Sequence, residues 1–377
     1  MIGLNNEILK NQKAEITALE IIRQPKVWVE IYDNINNIKD TVTKMMDTIN
    51  YNDKIIFTGA GSSGFIGDYM VPVLRSLGYS NVYSFHTTDI VACPKQYLFD
   101  EKTVLVSFGR SGNSPESVAC INIANTFVKE ISHIIITCNS KGALANISGK
   151  NVLNLQFDML NDLAFAMTSS QSGMTLASYI IFAKDEELRD KIVEISNIVE
   201  GFMNNKTENL WDISKLDYNR FVVLGAGNLE GLAKEASLKN TELTAGKVAS
   251  FYNSPLGFRH GPKCQVDKDT IVVFLASNNE YTKKYDLDMI KELHLGESKK
   301  LVVISDVYEK EYEKFSDIYY FASSDRHIDN GLLNLFYLPI CQIIALQHSV
   351  FMGITSDNPF PSGALNRVVA GVTIYDL

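Results

Sequence analysis

The chain has 377 residues, 46% hydrophobic and 21% charged, a globular composition long enough for two ordinary domains. Its net charge of −9 argues against nucleic acid as a partner, so an anionic ligand would have to be held by local donors. Five cysteines without metal or redox spacing and six histidines without a metal motif exclude a disulfide framework; they predict buried reduced thiols and no metal.

Residues 1–24 carry no secretory leader pattern, and the apolar stretch 335–346 is too short to span a bilayer, so no membrane partner is expected. Helical spacing of Ile8, Ile16, Leu19 and Ile22, then of Val27, Ile31, Ile35, Ile38 and Val42, predicts helices over 3–22 and 26–50. Gln24-Pro25 separates them, and together they form a helical lead-in, residues 1–50. Strands are predicted at 54–58, 81–85, 104–108, 133–138 and 152–157. Helices are predicted at 65–77, 115–130, 167–183 and 186–203. Residues 204–217 are polar and turn-rich, a linker.

The pattern then restarts. Strands at 220–224, 270–275, 300–304 and 318–321 alternate with helices at 229–244, 284–293 and 332–351, and the tail 355–377 is a loop ending in Val372-Thr-Ile374. Alternation of this kind predicts an α/β protein with doubly wound parallel sheets. The expected domains are 51–203 and 204–377. Thr58-Gly-Ala-Gly61 recurs as Leu224-Gly-Ala-Gly227, and at the same offset Val106-Ser-Phe108 falls on Val272-Val-Phe274. Two copies of one unit are the simplest account.

The copies differ after their third strand. The first has Gly109-Arg-Ser-Gly-Asn-Ser114; the second has Leu275-Ala-Ser-Asn-Asn-Glu280, with no glycine and an added acid. In the first, Ser114-Pro115-Glu116 starts a helix, with a hydroxyl at the N-cap, proline at N1 and an acid in the first turn. A small-residue loop between a strand and a helix N-terminus offers N–H groups and a favourable dipole to an anion. Arg110, Ser111 and Ser114 add side-chain donors, and phosphate is the natural guest. A cap alone explains Ser114 but not Arg110, Ser111 and Gly112. Gly59-Ala-Gly-Ser-Ser-Gly64 satisfies the dinucleotide pattern, but His86, Thr87 and Thr88 stand where the ribose-binding acid belongs. The alternative places Ser62 and Ser63 beside Arg110, Ser111 and Ser114 on adjacent strand ends. No Walker A motif occurs.

Glu235, Lys239 and Glu242 are spaced four and three apart and share a helix face. That face is either a solvated ion-pair row or a carboxylate base with its supporting charges. His260 lies in a proline-rich loop, Phe258-Arg-His-Gly-Pro262, where an imidazole is either a surface group or a proton shuttle.

These four motifs resemble the sugar isomerase (SIS) fold, two copies in tandem over residues 35–377. They are most similar to the tagatose-6-phosphate ketose/aldose isomerase and galactosamine-6-phosphate deaminase group, and similar also to the isomerase half of glucosamine-6-phosphate synthase. The resemblance implies that Ser63, Arg110, Ser111 and Ser114 hold a sugar phosphate. It implies that Glu242 moves a proton between C1 and C2, with Lys239 and Glu235 around it. His260 would help open the ring, from the neighbouring subunit of a homodimer with shared active sites. Thr168 and Ser169 match a segment that touches the sugar. Arg367 stands where relatives carry an imine-forming lysine, and arginine forms no imine at ordinary pH. The synthase relatives carry a glutaminase domain ahead of the sheets, where this chain has only its lead-in, so glutamine-driven amination is not expected. The implied reaction is deamination of galactosamine 6-phosphate without metal or cofactor in the cytoplasm. Plain ketose–aldose isomerisation and a non-catalytic phosphosugar sensor are the alternatives.

Overall fold

Strands covered on both faces are continuous apolar runs, as parallel sheets require. The computed structural model describes residues 1–369 and 371–377. Strands β1 (Lys54–Thr58), β2 (Val82–Ser84), β3 (Thr103–Gly109), β4 (Ile131–Thr137) and β5 (Val152–Gln156) form one sheet in the order β2-β1-β3-β4-β5. Strands β6 (Arg220–Gly225), β7 (Ala249–Asn253), β8 (Thr270–Leu275), β9 (Lys300–Val307) and β10 (Ile318–Ser323) form a second, in the order β10-β9-β8-β6-β7. Every pairing is parallel, and read from its other edge the second order is that of the first. Every residue of β1, β3 and β8 is buried. Helices flank both sheets.

The chain divides into two compact units. One holds β1–β5 and comprises residues 26–162, 169–191 and 362–377; the other holds β6–β10 and comprises residues 1–25, 163–168 and 192–361. The first helices, Asn6–Asn11 and Glu15–Ile22, thus belong with the second sheet, tied there by Asp357, whose Oδ1 accepts from Thr17 N and Thr17 Oγ1, each at 2.8 Å. The core of that unit is lined by Val222, Leu224, Val272, Phe274 and Val303 from the sheet and by Met289, Ile290 and Leu293 from helix Thr282–His294.

Helix Leu333–Phe351 is buried along almost its whole length. Together with the turn before it, this is the one helix among the described residues long and apolar enough to cross a membrane, yet its apolar stretch is buried inside the protein. Its polar side chains bond inside that unit: Gln347 Nε2 donates to the carbonyls of Ile2 (2.8 Å) and Thr207 (3.1 Å), and Ser349 Oγ to that of Leu243 (2.6 Å). It is a core helix.

Several expectations change. The lead-in is four helices, not two, interrupted after Gln12 by Lys13 with a φ of +50° and again at Ile38. The break expected at Gln24-Pro25 falls at Arg23, and Pro25 sits in the first turn of Gln24–Asn37, where its missing N–H has no partner to lose. Residues 204–217 are not a linker. Thr207–Ser214 is a helix that buries Leu210 and Ile213 and exposes Asn209 and Asp212. Strand β7 and helices Thr87–Ala92 and Pro94–Tyr97 are additions: β7 is a half-exposed edge strand, and the two helices are too short to show a period. Cys120, Cys138 and Cys341 are buried as expected, but Cys93 and Cys264 are exposed, each in a segment whose neighbouring residues are themselves half-buried or exposed. Burial pushes the Cys120 and Cys341 thiols up to about 12, so neither is a nucleophile near neutral pH.

Candidate functional site

Strands β1 and β3 are neighbours in register, Thr58 beside Ser107, so the loops that follow them leave the same sheet edge side by side. Gly59 lets helix Ser62–Ser76 approach: a Cβ there would lie 2.5 Å from the Ser63 backbone. Gly61, with a φ of +56°, turns the chain into that helix. The same device recurs in the second unit, where a Cβ on Gly225 would lie 2.5 Å from Leu229 O and Gly227 has a φ of +62°. Ser62 and Ser63 therefore open the first helical turn, and both are almost fully buried.

The loop after β3 is braced from β4's own loop. Asn139 Nδ2 donates to Ser111 O (2.8 Å), Leu144 N to Gly112 O (3.0 Å) and Ala143 N to Asn113 Oδ1 (2.9 Å). Ser114 is the N-cap residue of helix Pro115–Phe127, but its hydroxyl makes no capping bond, contrary to the expectation from sequence. Its carbonyl accepts from Ser117 N (3.0 Å) instead, which leaves the hydroxyl out of the cap. Arg110 is buried, and its Nη2 donates to the backbone carbonyl of Arg367 at 2.7 Å. The Arg367 guanidinium reaches back to Asn161 Oδ1 (2.8 Å) and, through Nε, to Asp162 O (2.9 Å). Asp162 in turn accepts from Ser169 Oγ (2.6 Å) and from Ser170 N and Oγ (2.8 and 2.6 Å) at the start of helix Ser169–Phe182. An acid at a helix N-terminus complements the dipole, and here it occupies the Ser169 hydroxyl. The unit thus gathers Arg110, Arg367 and the 109–114 loop, with Ser62 and Ser63 on the adjoining strand end. Thr168 belongs to the other unit; it is fully buried and its carbonyl accepts from Gln342 Nε2 at 3.4 Å.

In the second unit the corresponding loop is closed by its own chain. Asn278 Nδ2 donates to Ile328 O (2.7 Å) and Asn228 Nδ2 to Asn330 O (3.2 Å), so residues 328–330 cover the strand ends. Ser277 N donates to the buried Asp286 Oδ2 (2.8 Å).

Helix Asn228–Leu243 carries the carboxylates. Lys239 and Glu235 are fully buried, and Lys239 Nζ lies 3.4 Å from Glu235 Oε1. The same ammonium donates to Glu242 Oε2, and the Glu242 side chain keeps 23% of its surface exposed. This is no solvated row of ion pairs. A lysine wholly inside a protein adds little net stability even when paired, so its retention asks for another reason. It holds Glu242, the one member of the three that reaches the surface, by a charge-assisted bond. His260 is exposed at the turn between the short helix Pro255–Phe258 and the 3-10 turn Pro262–Gln265.

The SIS domain model matches residues 48–183. D-galactosamine-6-phosphate deaminase AgaS of Escherichia coli O157:H7 is 38% identical over 370 residues, 95% of each chain. The chain belongs to the AgaS family of SIS-domain proteins. Two solved structures share its fold closely. One, a candidate tagatose-6-phosphate ketose/aldose isomerase of Clostridium novyi NT, is 40% identical with a TM-score of 0.95 and matches 100% of this chain and 99% of its own. The other, tagatose-6-phosphate ketose/aldose isomerase of Escherichia coli, is 36% identical with a TM-score of 0.88 over 96% of each chain.

Asn161 and Asp162 escape sequence reasoning: they meet Arg367 across two hundred positions, and an Asn-Asp pair in a loop looks like ordinary turn chemistry.

Proposed function

We propose that the chain is a cytoplasmic hexose 6-phosphate isomerase and deaminase that converts galactosamine 6-phosphate to tagatose 6-phosphate and ammonia. Residues 51–203 would supply the phosphate-binding loops and residues 204–377 the catalytic groups, as two copies of one ancestral unit. Ser62, Ser63, Ser111, Ser114 and Arg110 hold the phosphate; Arg367, Thr168 and Ser169 shape the sugar's surroundings. His260 helps to open the ring, and its exposed imidazole suits delivery to a neighbouring subunit of a homodimer.

In the open-chain aldehyde the C2 proton is acidified by the adjacent carbonyl. Glu242 removes it and returns it to C1 through an enolamine. The product is a C2 ketimine; water adds to it and ammonia leaves, so one water is consumed per ammonia released. Electrons are neither gained nor lost overall, and we assign no cofactor. Lys239 and Glu235 fix the Glu242 carboxylate. The observation that carries this reading is the fully buried Lys239 bound to a carboxylate that itself remains partly exposed. The family relationship to a protein named as a galactosamine-6-phosphate deaminase supports the substrate. The names of the two solved structures favour a second reading, in which a ketose 6-phosphate is isomerised by the same proton transfer without loss of nitrogen.

The test is incubation with galactosamine, glucosamine and tagatose 6-phosphates, following ammonia and ketose by NMR. Ammonia and tagatose 6-phosphate formed from galactosamine 6-phosphate support the first reading. Turnover of tagatose 6-phosphate alone supports the second, and turnover of none overturns both.

A further inference from the structure

We propose that Glu292 is a positioning residue for His260, a role that rests on the reading of His260 given above. Arg259 and Lys263 stand on either side of His260, and one carboxylate takes both. Arg259 Nε donates to Glu292 Oε2 at 2.7 Å, and the Lys263 ammonium donates to Glu292 Oε1. The Lys263 bond, with that of Arg259 beside it, holds the Glu292 carboxyl below the usual range against the opposing effect of burial. Glu292 is rigidly mounted. It lies on helix Thr282–His294, whose residues Met289, Ile290 and Leu293 are in the core of the second sheet.

His260 follows the short helix Pro255–Phe258, which is anchored by the buried Phe258 and capped by Ser254, whose Oγ accepts from Gly257 N at 3.2 Å. The His260 backbone N bonds to Gly257 O and Cys264 N to Gly261 O, each at 3.0 Å, which defines the turn but not its tilt. Gly261 makes that turn with a φ of +118°, and a Cβ there would meet nothing within 4 Å. His260 itself is exposed. Phe258, two residues before His260, is buried in that same core, and the clamp adds charged tethers at the residues that bracket the imidazole, Arg259 and Lys263. Stability does not explain it: the side chains of Arg259, Lys263 and Glu292 are 30%, 35% and 36% exposed, and ion pairs so exposed contribute little. A double tether around one imidazole instead constrains where that imidazole sits, and displacement by about 1 Å is enough to cost an enzyme up to ~10²-fold in rate.

The experiment is a double-mutant cycle on the full-length enzyme with a phosphosugar substrate. Glu292→Gln preserves shape and removes both ion pairs; Glu292→Asp preserves the charge. Glu292→Gln should lower kcat about tenfold with little change in KM, and Glu292→Asp should recover most of it. In a His260→Ala background Glu292→Gln should have no further effect on kcat, because the group it positions is gone. Thermal melts of all variants identify any that fail to fold, and Glu292→Asp then carries the comparison. Equal fold losses from Glu292→Gln in both backgrounds would overturn the role of Glu292 and leave that of His260 intact. Wild-type turnover in His260→Ala would remove the role of His260 itself, and with it the basis of the proposal.

Discussion

Arg110 donates from Nη2 to the backbone carbonyl of Arg367 at 2.7 Å, while the Arg367 guanidinium is held by Asn161 and Asp162. The guanidinium assigned to phosphate is thus oriented by the C-terminal tail, whose own arginine is pinned beside it. Arg110→Ala should lower kcat/KM for phosphorylated sugars by at least about tenfold, since a hydrogen bond to a charged group contributes ~1.5–3 kcal/mol. Arg367→Ala should raise KM by a smaller factor, because it loosens the tail but leaves Arg110 present. Steady-state kinetics on phosphorylated and unphosphorylated sugars check both, and equal losses on the two substrates would contradict the phosphate role.

Lys239 is the structural counterpart of that contact in the second unit. Lys239→Met leaves Glu235 buried without its lysine, and breaking a buried pair in this way costs about 3–5 kcal/mol. Denaturant unfolding should show that loss. Adding Glu235→Gln should recover part of it, and the recovery would not occur if the pair were energetically silent.

Most of the strand framework was legible because β1, β3, β6, β8 and β9 each contain an unbroken run of apolar residues. The half-exposed β7 had no such signal. The spacing of Glu235, Lys239 and Glu242 was equally plain, but spacing places three charges on one face without saying whether that face meets water. Burial is a tertiary property; the structure supplies it through the fully enclosed Lys239. The clasp of Arg367 on Asp162 and the pairing of Glu292 with Arg259 and Lys263 join distant segments and leave no local trace. The same holds for the helix at Thr207–Ser214, whose polar residues suggested a linker while Leu210 and Ile213 were already at helical spacing.

Asp286 predicts an unusual pH dependence of stability. Its side chain is fully buried, Oδ2 accepts from Ser277 N, and Oδ1 has no partner; burial pushes its carboxyl from 3.8 up to about 7. The folded chain therefore keeps a proton that the unfolded chain loses near its ordinary value. This group's contribution is fully present below about pH 4 and is lost as pH rises through about 7. Asp286→Asn keeps an acceptor for Ser277 N and cannot ionise. It should raise Tm by several degrees near pH 8 and change it little near pH 4, as read by thermal melts across that range. A variant destabilised equally at both pH values would contradict the assignment.

The proposed proton transfer depends on Glu242 as its base. Glu242→Gln is nearly isosteric and retains an oxygen for the Lys239 ammonium, so the fold and the binding of galactosamine 6-phosphate should persist. The decisive measurement is ammonia release by this variant, with calorimetric binding of the substrate in parallel. Loss of turnover by about 10²–10⁴-fold with binding retained is the predicted result. Ammonia release at the wild-type rate would contradict it.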